Sequence, residues 1–414
     1  MQTYFPATTR DSADGRLADE IIRKCVHCGF CNVTCPSYQI VGNELDGPRG
    51  RIYLIKRALE EGRPGAALRD HLDTCLTCRN CETTCPAGVR YGELLEVGRR
   101  VAHQQVPRPA RERVRRWAWR QVLTRRRLFA AAEAAGGLLR PLLPRRLSRP
   151  LPPVRAAGAW PAARHARRML VLPGCVQGAL DASIDAAAAR VLDRQGVSLV
   201  PVTTSGCCGA IDLHLAQEEA ARRHMRRTID ACWPDIENGA EAIVSTASGC
   251  GVTLKEYGRL LADDPTHAAK AARFSALVRD LSEVVDPQGA GVSCGPATRV
   301  VFHSPCTLQH GQSLSGRTEA VLTAAGAEVL PVVEPHLCCG AAGTYAILQP
   351  EISEGLARRK LAHLDAARGD VWLTANIGCQ VHLQGHGERP VRHWINWLDE
   401  RLAQAAHTGP VGPR

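Results

Sequence analysis

The stretch Cys25-Val-His-Cys28-Gly-Phe-Cys31-Asn-Val-Thr-Cys35-Pro36 returns fifty positions later as Cys75-Leu-Thr-Cys78-Arg-Asn-Cys81-Glu-Thr-Thr-Cys85-Pro86. A 4Fe-4S cubane needs four thiolates around one compact cluster, and three cysteines two residues apart wrap only one face of it. In the two-cluster pattern C-x2-C-x2-C-x3-C-P, the fourth cysteine of each run ligates the other cluster. The spacing therefore predicts Cys25, Cys28, Cys31 and Cys85 around one cluster, and Cys75, Cys78, Cys81 and Cys35 around a second. A pair of zinc sites is the competing reading. Zinc prefers two C-x2-C knuckles and leaves a Cys-Pro at the end of each run without a use. Two clusters sharing ligands across one small domain lie close together, which suits electron transfer and leaves no substrate pocket there.

A longer duplication follows. Cys175, Cys207, Cys208 and Cys250 match Cys306, Cys338, Cys339 and Cys379 at offsets of 131, 131, 131 and 129 residues. Each set offers one Cys, then Cys-Cys-Gly, then a last Cys, which is enough for one four-thiolate site. Gly209 and Gly340 suggest a tight turn presenting both adjacent sulfurs, since glycine tolerates positive φ. A further iron–sulfur cluster, a zinc ion or a thiol-lined turn without metal all remain compatible with these cysteines. His303, His310, His336 and His382 lie near the second set as candidate ligands or proton carriers, against the commoner structural role of a histidine. The two duplications use 16 of the 18 cysteines, and Cys232 and Cys294 read as small buried thiols.

Around these motifs the pattern changes once. Helical periodicity at Leu17–Lys24, Arg51–Glu61 and Gly92–His103 flanks the first cysteines, with no convincing strand. From Met169 onward, short apolar runs (Met169–Leu172, Val197–Val202, Ala242–Ser245, Val300–Phe302, Glu328–Val332, Val371–Leu373) alternate with helix-like stretches such as Ala179–Arg194 and Leu213–Ala231. That alternation predicts βαβ units on parallel sheets, with the cysteines just after the strands, where open α/β sheets build their sites. The expected fold is thus α+β and multidomain. A helical, bacterial-ferredoxin-like two-cluster domain (1–106) leads through an Arg/Pro-rich linker (107–168) to two α/β cysteine-rich repeats with parallel sheets (169–290 and 291–414).

Composition removes other classes. A chain of 414 residues with 45% hydrophobic and 22% charged residues is long enough for several cores and is not disordered. Its 18 cysteines fall short of a small disulfide scaffold. The net charge of +11 is concentrated in 107–168, where 17 Arg face two Glu. Without a nucleic-acid-binding fold this reads as a solvated linker with helical pieces, or as a docking strip for an acidic partner or anionic membrane, and not as a nucleic-acid site. The apolar stretch Leu128–Leu139 is broken by Glu133 and is too short to span a bilayer. The N-terminus has no signal-peptide pattern, so a cytoplasmic setting with reduced thiols is expected. No G-x-G-x-x-G after a strand, P-loop or H-E-x-x-H is present, which assigns any hydride-accepting cofactor to another chain.

The first motif, the run Glu44-Leu-Asp-Gly-Pro-Arg-Gly-Arg51, the second motif, Asn376-Ile-Gly-Cys-Gln-Val-His382 and Val391-Arg-His-Trp-Ile395 together resemble the iron–sulfur subunits of bacterial glycolate oxidases. The resemblance covers most of the chain and is weakest over the linker. It implies a membrane-associated complex, peripheral at the inner face of the cell membrane, in which partner subunits carry FAD and oxidise glycolate to glyoxylate. This chain then passes electrons from the flavin toward a quinone or similar acceptor. The iron–sulfur subunits of anaerobic glycerol-3-phosphate or D-lactate dehydrogenases share that architecture. A zinc-binding structural scaffold is the alternative of another class. Cysteine-rich domains of heterodisulfide reductase type often end in C-x2-C, whereas Thr253 and His382 occupy those last positions here, which removes a fifth cysteine from each repeat.

Overall fold

A computed structural model describes residues 1–139, 156–289 and 297–408, so Cys294 and the middle of the Arg/Pro-rich stretch lie outside the described residues. Up to Gln105, every regular element is helical. Helix Ala13–Lys24 starts where Ser12 accepts a hydrogen bond from the Gly15 backbone N–H. Asp14 stands in its first turn and Arg23 and Lys24 in its last, as the helix dipole favours. Its inner face buries Ile21 and Ile22 against Ile52 and Ile55 of Pro48–Glu61, Leu72 of Ala66–Asp73, and Leu94 and Leu95 of Tyr91–Gln105. Spacings of three and four residues place these side chains on one stripe of each helix. This core carries the two cysteine loops. Each loop runs into a short helix, Phe30–Val33 or Asn80–Thr84, and the two meet where Thr34 Oγ1 lies 3.0 Å from Thr84 Oγ1.

The Arg-rich segment forms helices Ala110–Thr124 and Arg126–Leu139 before leaving the described residues. Only part of its charge is solvated. Arg108 and Arg116 both bind Asp73 of the helical unit, Arg116 Nη2 at 2.7 Å, while Arg120 Nε lies 3.0 Å from the buried Asp212 of the first repeat. The segment therefore fastens the cluster-bearing helices to the α/β part. Arg111, Arg113 and Arg115 remain exposed.

Two four-stranded parallel sheets follow. The first has strands β1 (Arg167–Val171), β2 (Val197–Pro201), β3 (Ala242–Ser245) and β4 (Val278–Asp280) in the order β2-β1-β3-β4. The second repeats this order as β6-β5-β7-β8 with β5 (Thr298–His303), β6 (Ala327–Leu330), β7 (Val371–Thr374) and β8 (Val391–His393). The α+β class and both parallel sheets agree with the sequence reading. Edge strands β4 and β8 were not expected, and β1 starts two residues before the apolar run at Met169. The two sheets share one core, in which Ile184, Leu192 and Val244 of the first repeat pack with Phe302, Trp394 and Leu398 of the second. Arg190 of helix Ser183–Arg194 reinforces this contact by pairing with Asp399 of the last helix at 2.7 Å.

Candidate metal centres

The two cysteine loops turn in the same way. Positive φ at His27 and Gly29 bends the first, and positive φ at Thr77 and Arg79 bends the second. Cys25, Cys28, Cys31 and Cys85 consequently line one cavity, together with Val26, Phe30 and Pro48. Cys35, Cys75, Cys78 and Cys81 line another, together with Arg51 and Tyr91. Cys81 sits between the two and touches both. The fourth cysteine of each run thus lies with the first three of the other. All these thiols are free. Burial, and then the charges of Cys25, Cys85 and Cys28, push the Cys31 thiol up to about 11. The deeper Cys78 and Cys81 thiols are raised further by burial and by neighbouring sulfurs. Four ionised sulfurs at such sites repel one another unless a cationic centre binds among them. The donor set and the cavity therefore fit a 4Fe-4S cluster at each place.

The second site contains a buried cation. The Arg51 side chain is 1% exposed. Its Nη2 donates to Ser37 Oγ at 2.9 Å and to Thr74 Oγ1 at 2.8 Å, and its Nε donates to the His71 carbonyl at 2.7 Å. Its Nη1 lies 4.0 Å from Cys35 Sγ. Burial opposes the charge, but Tyr91, Cys75, Cys35 and Asp46 outweigh it and keep the guanidinium protonated. At the first site the nearby Arg49 is instead half-exposed and paired with Glu44 at 2.6 Å.

In the repeats each cysteine of the two duplicated sets follows a strand at its carboxyl end. Cys175 comes after β1, Cys207 and Cys208 after β2, and Cys250 after β3. Cys306, Cys338, Cys339 and Cys379 stand in the same places after β5, β6 and β7. Gly209 and Gly340 hold φ of 88° and 97°. A Cβ on Gly340 would stand 2.5 Å from the Ser353 carbonyl oxygen, so the Cys-Cys-Gly turn demands glycine. Cys175, Cys207, Cys208 and Cys250 line one cavity, and the thiols of Cys175 and Cys208 push that of Cys207 up. In the second repeat Cys306 Sγ lies 3.7 Å from Cys338 Sγ, and the ligand atoms of His303, Cys339 and Cys379 lie within 4.8 Å of one another. Asn376 Nδ2 donates to Cys379 Sγ at 3.4 Å. Each repeat gathers four thiols, a donor set suited to an iron–sulfur cluster or to zinc.

These sites are neighbours. Cys78 of the second loop interacts with Cys306 and Cys338 of the second repeat. The repeats face each other through Ser248 Oγ and Thr307 Oγ1, 2.8 Å apart, and through the Gly249 N–H bonded to Asn376 Oδ1 at 3.4 Å. Between them lies a cavity of about 250 Å³ whose wall includes Cys78 and cysteines of both repeats.

Of the candidate histidines, only His303 joins a cysteine group. His310 and His336 serve the contact with the helical unit. Thr83 Oγ1 lies 2.9 Å from His310 Nδ1, and Asn80 Nδ2 donates to the His336 carbonyl at 3.2 Å. His382 turns toward Ser353 Oγ at 3.2 Å. Cys232 is fully buried in an apolar cluster, as expected of a small core thiol. Sequence reasoning missed Arg51 and the buried Lys360, whose ammonium donates to the Glu334 carbonyl at 2.7 Å and is pulled down to about 8 by burial. The available signal was a lone cation on the apolar stripe of each helix.

Comparison with known proteins agrees with this geometry. Residues 21–89 match the 4Fe-4S dicluster domain, and residues 169–255 and 300–384 each match the cysteine-rich domain family. The glycolate oxidase iron–sulfur subunit of Escherichia coli (strain K12) is 48% identical over 404 residues, covering 97% of this chain and 99% of that protein. A probable glycolate oxidase iron–sulfur subunit of Bacillus subtilis (strain 168) is 29% identical, over 89% of this chain and 90% of its own length. Lactate utilization protein A of Shouchella clausii is 27% identical, over 48% of this chain and 83% of its own. With two cysteine loops, two Cys-Cys-Gly repeats and near-complete coverage of the Escherichia coli protein, the chain belongs to the family of glycolate oxidase iron–sulfur subunits.

Proposed function

We propose that this chain is the electron relay of a glycolate-oxidising complex. In this reading, partner subunits bearing FAD convert glycolate to glyoxylate, and this chain conducts the electrons from the reduced flavin toward a quinone or similar acceptor. The observation that carries the reading is the series of cysteine sets. A solvent-facing set adjoins a buried one through Cys81, and Cys78 of the buried set adjoins Cys306 and Cys338 of the second repeat. Clusters bound there would supply one-electron steps beside a flavin that works in two-electron ones. The chain's own part is to hold them. Cys25, Cys28, Cys31 and Cys85 would ligate one cluster, Cys75, Cys78, Cys81 and Cys35 the other. Arg51 offsets negative charge at the second, while the shared core of the repeats fixes the distance between their sites.

No helix among the described residues is long and apolar enough to cross a membrane. Attachment at the inner face of the cell membrane would therefore be peripheral. Helix Ala110–Thr124 supports it, because exposed Val114 and Trp117 stand among exposed Arg111, Arg113 and Arg115. Such a face suits the interface of an anionic bilayer. In the second repeat, the His303, Cys339 and Cys379 group favours a second reading for that one site, a zinc ion in place of a cluster. Metal analysis separates the two.

The test is reconstitution. The isolated, cluster-loaded chain should not oxidise glycolate with an artificial dye, and turnover should appear when the flavin-bearing subunits are added. Glycolate turnover by the chain alone would contradict the relay role.

A further inference from the structure

The two cysteine loops are copies of one another, and the molecule shows how one of them docks. In the second loop Leu76 is 5% exposed and Asn80 is 2% exposed. Leu76 packs with Leu337, Tyr345 and Leu356 of the second repeat, Asn80 bonds the His336 carbonyl, and Thr83 bonds His310. The equivalent positions of the first loop, fifty residues earlier, are Val26, Phe30 and Val33. They are 71%, 59% and 69% exposed. The surface through which one loop meets a redox-site-bearing domain is thus left open on the other, and there it is more apolar. Tyr53, 43% exposed, extends it beside the His27 ring at 6.4 Å. Cys28 emerges within it as the exposed member of the eight loop cysteines, whereas its counterpart Cys78 is half-buried. Clustered exposed apolar side chains of this size mark interaction sites on soluble proteins.

We infer that the face formed by Val26, Phe30, Val33 and Tyr53 around Cys28 is the docking surface for the flavin-bearing partner, so that electrons enter the chain at the first cysteine set. This rests on the relay reading above and adds where the donor binds. The apolar side chains would be covered by the partner as Leu76 is covered by the second repeat. Covering them also excludes water between the flavin and the first cluster. Cys25, Cys28, Cys31 and Cys85 would hold the cluster that takes up electrons there one at a time, from a reduced flavin whose protons would pass to solvent.

The experiment uses the full chain with its clusters and the flavin-bearing subunits of the complex. Val33→Glu and Tyr53→Glu, on the same face but outside the wall of the first cysteine cavity, are compared with the milder Val33→Ser and with Trp117→Glu on the exposed Arg-rich helix. Iron content, the dithionite-reduced EPR spectrum and the rate of reduction by dithionite should match the unsubstituted chain in all four. Affinity for the flavin-bearing subunits should fall at least about tenfold for Val33→Glu and Tyr53→Glu, less for Val33→Ser, and stay unchanged for Trp117→Glu. Reduction by glycolate through those subunits should slow in step. Unchanged affinity in Val33→Glu and Tyr53→Glu, or loss of affinity in Trp117→Glu alone, would overturn the inference. If the unsubstituted chain binds the flavin subunits and is not reduced by glycolate, the relay reading fails. Loss of that binding in the Glu variants would then still support the surface.

Discussion

The first and second cysteine loops have the same ligand spacing, the same pair of left-handed turns and the same short helix around the third cysteine, yet they occupy different media. The first lies at the surface, with Cys28 exposed and a nearby cation, Arg49, paired with Glu44 in partial contact with solvent. The second is closed in by the second repeat and has a guanidinium buried within 4.0 Å of Cys35 Sγ. Iron–sulfur potentials respond to net charge, hydrogen bonds to sulfur and exposure. Two sites of one ligand set can therefore be given different potentials by their surroundings alone. The two loops of this chain differ in what covers each of them and not in their set of thiols.

The strongest way to break the comparison is to exchange ligands between its two halves. Cys35→Ser should perturb the cluster of the second loop and Cys85→Ser that of the first, because each of these cysteines lies among the other run's first three. Serine oxygen is a harder and poorer ligand, so loss of the affected cluster and loosening of the small helical core are expected. EPR of the reduced variants checks this, with Cys28→Ser and Cys78→Ser as markers. A Cys35→Ser spectrum that matches Cys28→Ser would mean ligation is not crossed.

Arg51→Met acts on one half only. It removes the buried charge and leaves Ser37, Thr74 and the His71 carbonyl without their donor. The expected cost is about 3–5 kcal/mol of stability by denaturant titration, as for breaking a buried charged network. The potential of the second cluster should fall, because the cation that favours its more negative reduced state is gone, while the first stays in place. A matching shift of both potentials in an EPR-monitored redox titration would show that the halves do not have separate environments.

Next comes a pair of truncations at equivalent positions. Leu76→Ala should cost about 2–4 kcal/mol, the range for emptying a packed site. Val26→Ala should stay within about 0.5 kcal/mol, as expected of an exposed position. Equal costs would erase the difference in packing. A smaller effect concerns exposure. On treatment with an iron chelator, the signal of the first cluster should disappear before that of the second, since Cys28 is exposed while Cys78 is half-buried and Cys35, Cys75 and Cys81 are buried. Simultaneous loss would count against distinct access.

Much of this was legible in the chain. The spacing of Cys25 to Cys35 and of Cys75 to Cys85 names its own chemistry, because three close cysteines and a distant fourth leave few alternatives. Runs such as Ala242–Ser245 stand out because a strand buried on both faces is mostly apolar, here Ala-Ile-Val ahead of Ser245. Strands β4 and β8 did not, since each is a three-residue edge with arginine at its centre, Val278-Arg-Asp280 and Val391-Arg-His393. Arg51 stands as a lone cation on the apolar stripe of its helix, but its partners, Ser37, Thr74 and the His71 carbonyl, are distant in the chain and leave no local pattern. The docking of Leu76 on Leu337 joins positions far apart in the chain, and such contacts leave no local periodicity. For the same reason His310 and His336, which proximity in sequence offered as ligands, serve the contact between units.

The most direct test of the proposed relay is EPR of the chain reduced by glycolate through the flavin-bearing partners proposed for it, with iron and zinc measured on the same sample. The account expects at least about eight iron atoms per chain, as two 4Fe-4S clusters require, and signals from two magnetically interacting clusters that grow as glycolate is consumed. Zinc in place of iron, or iron–sulfur signals that dithionite produces and glycolate with the flavin subunits does not, would contradict it.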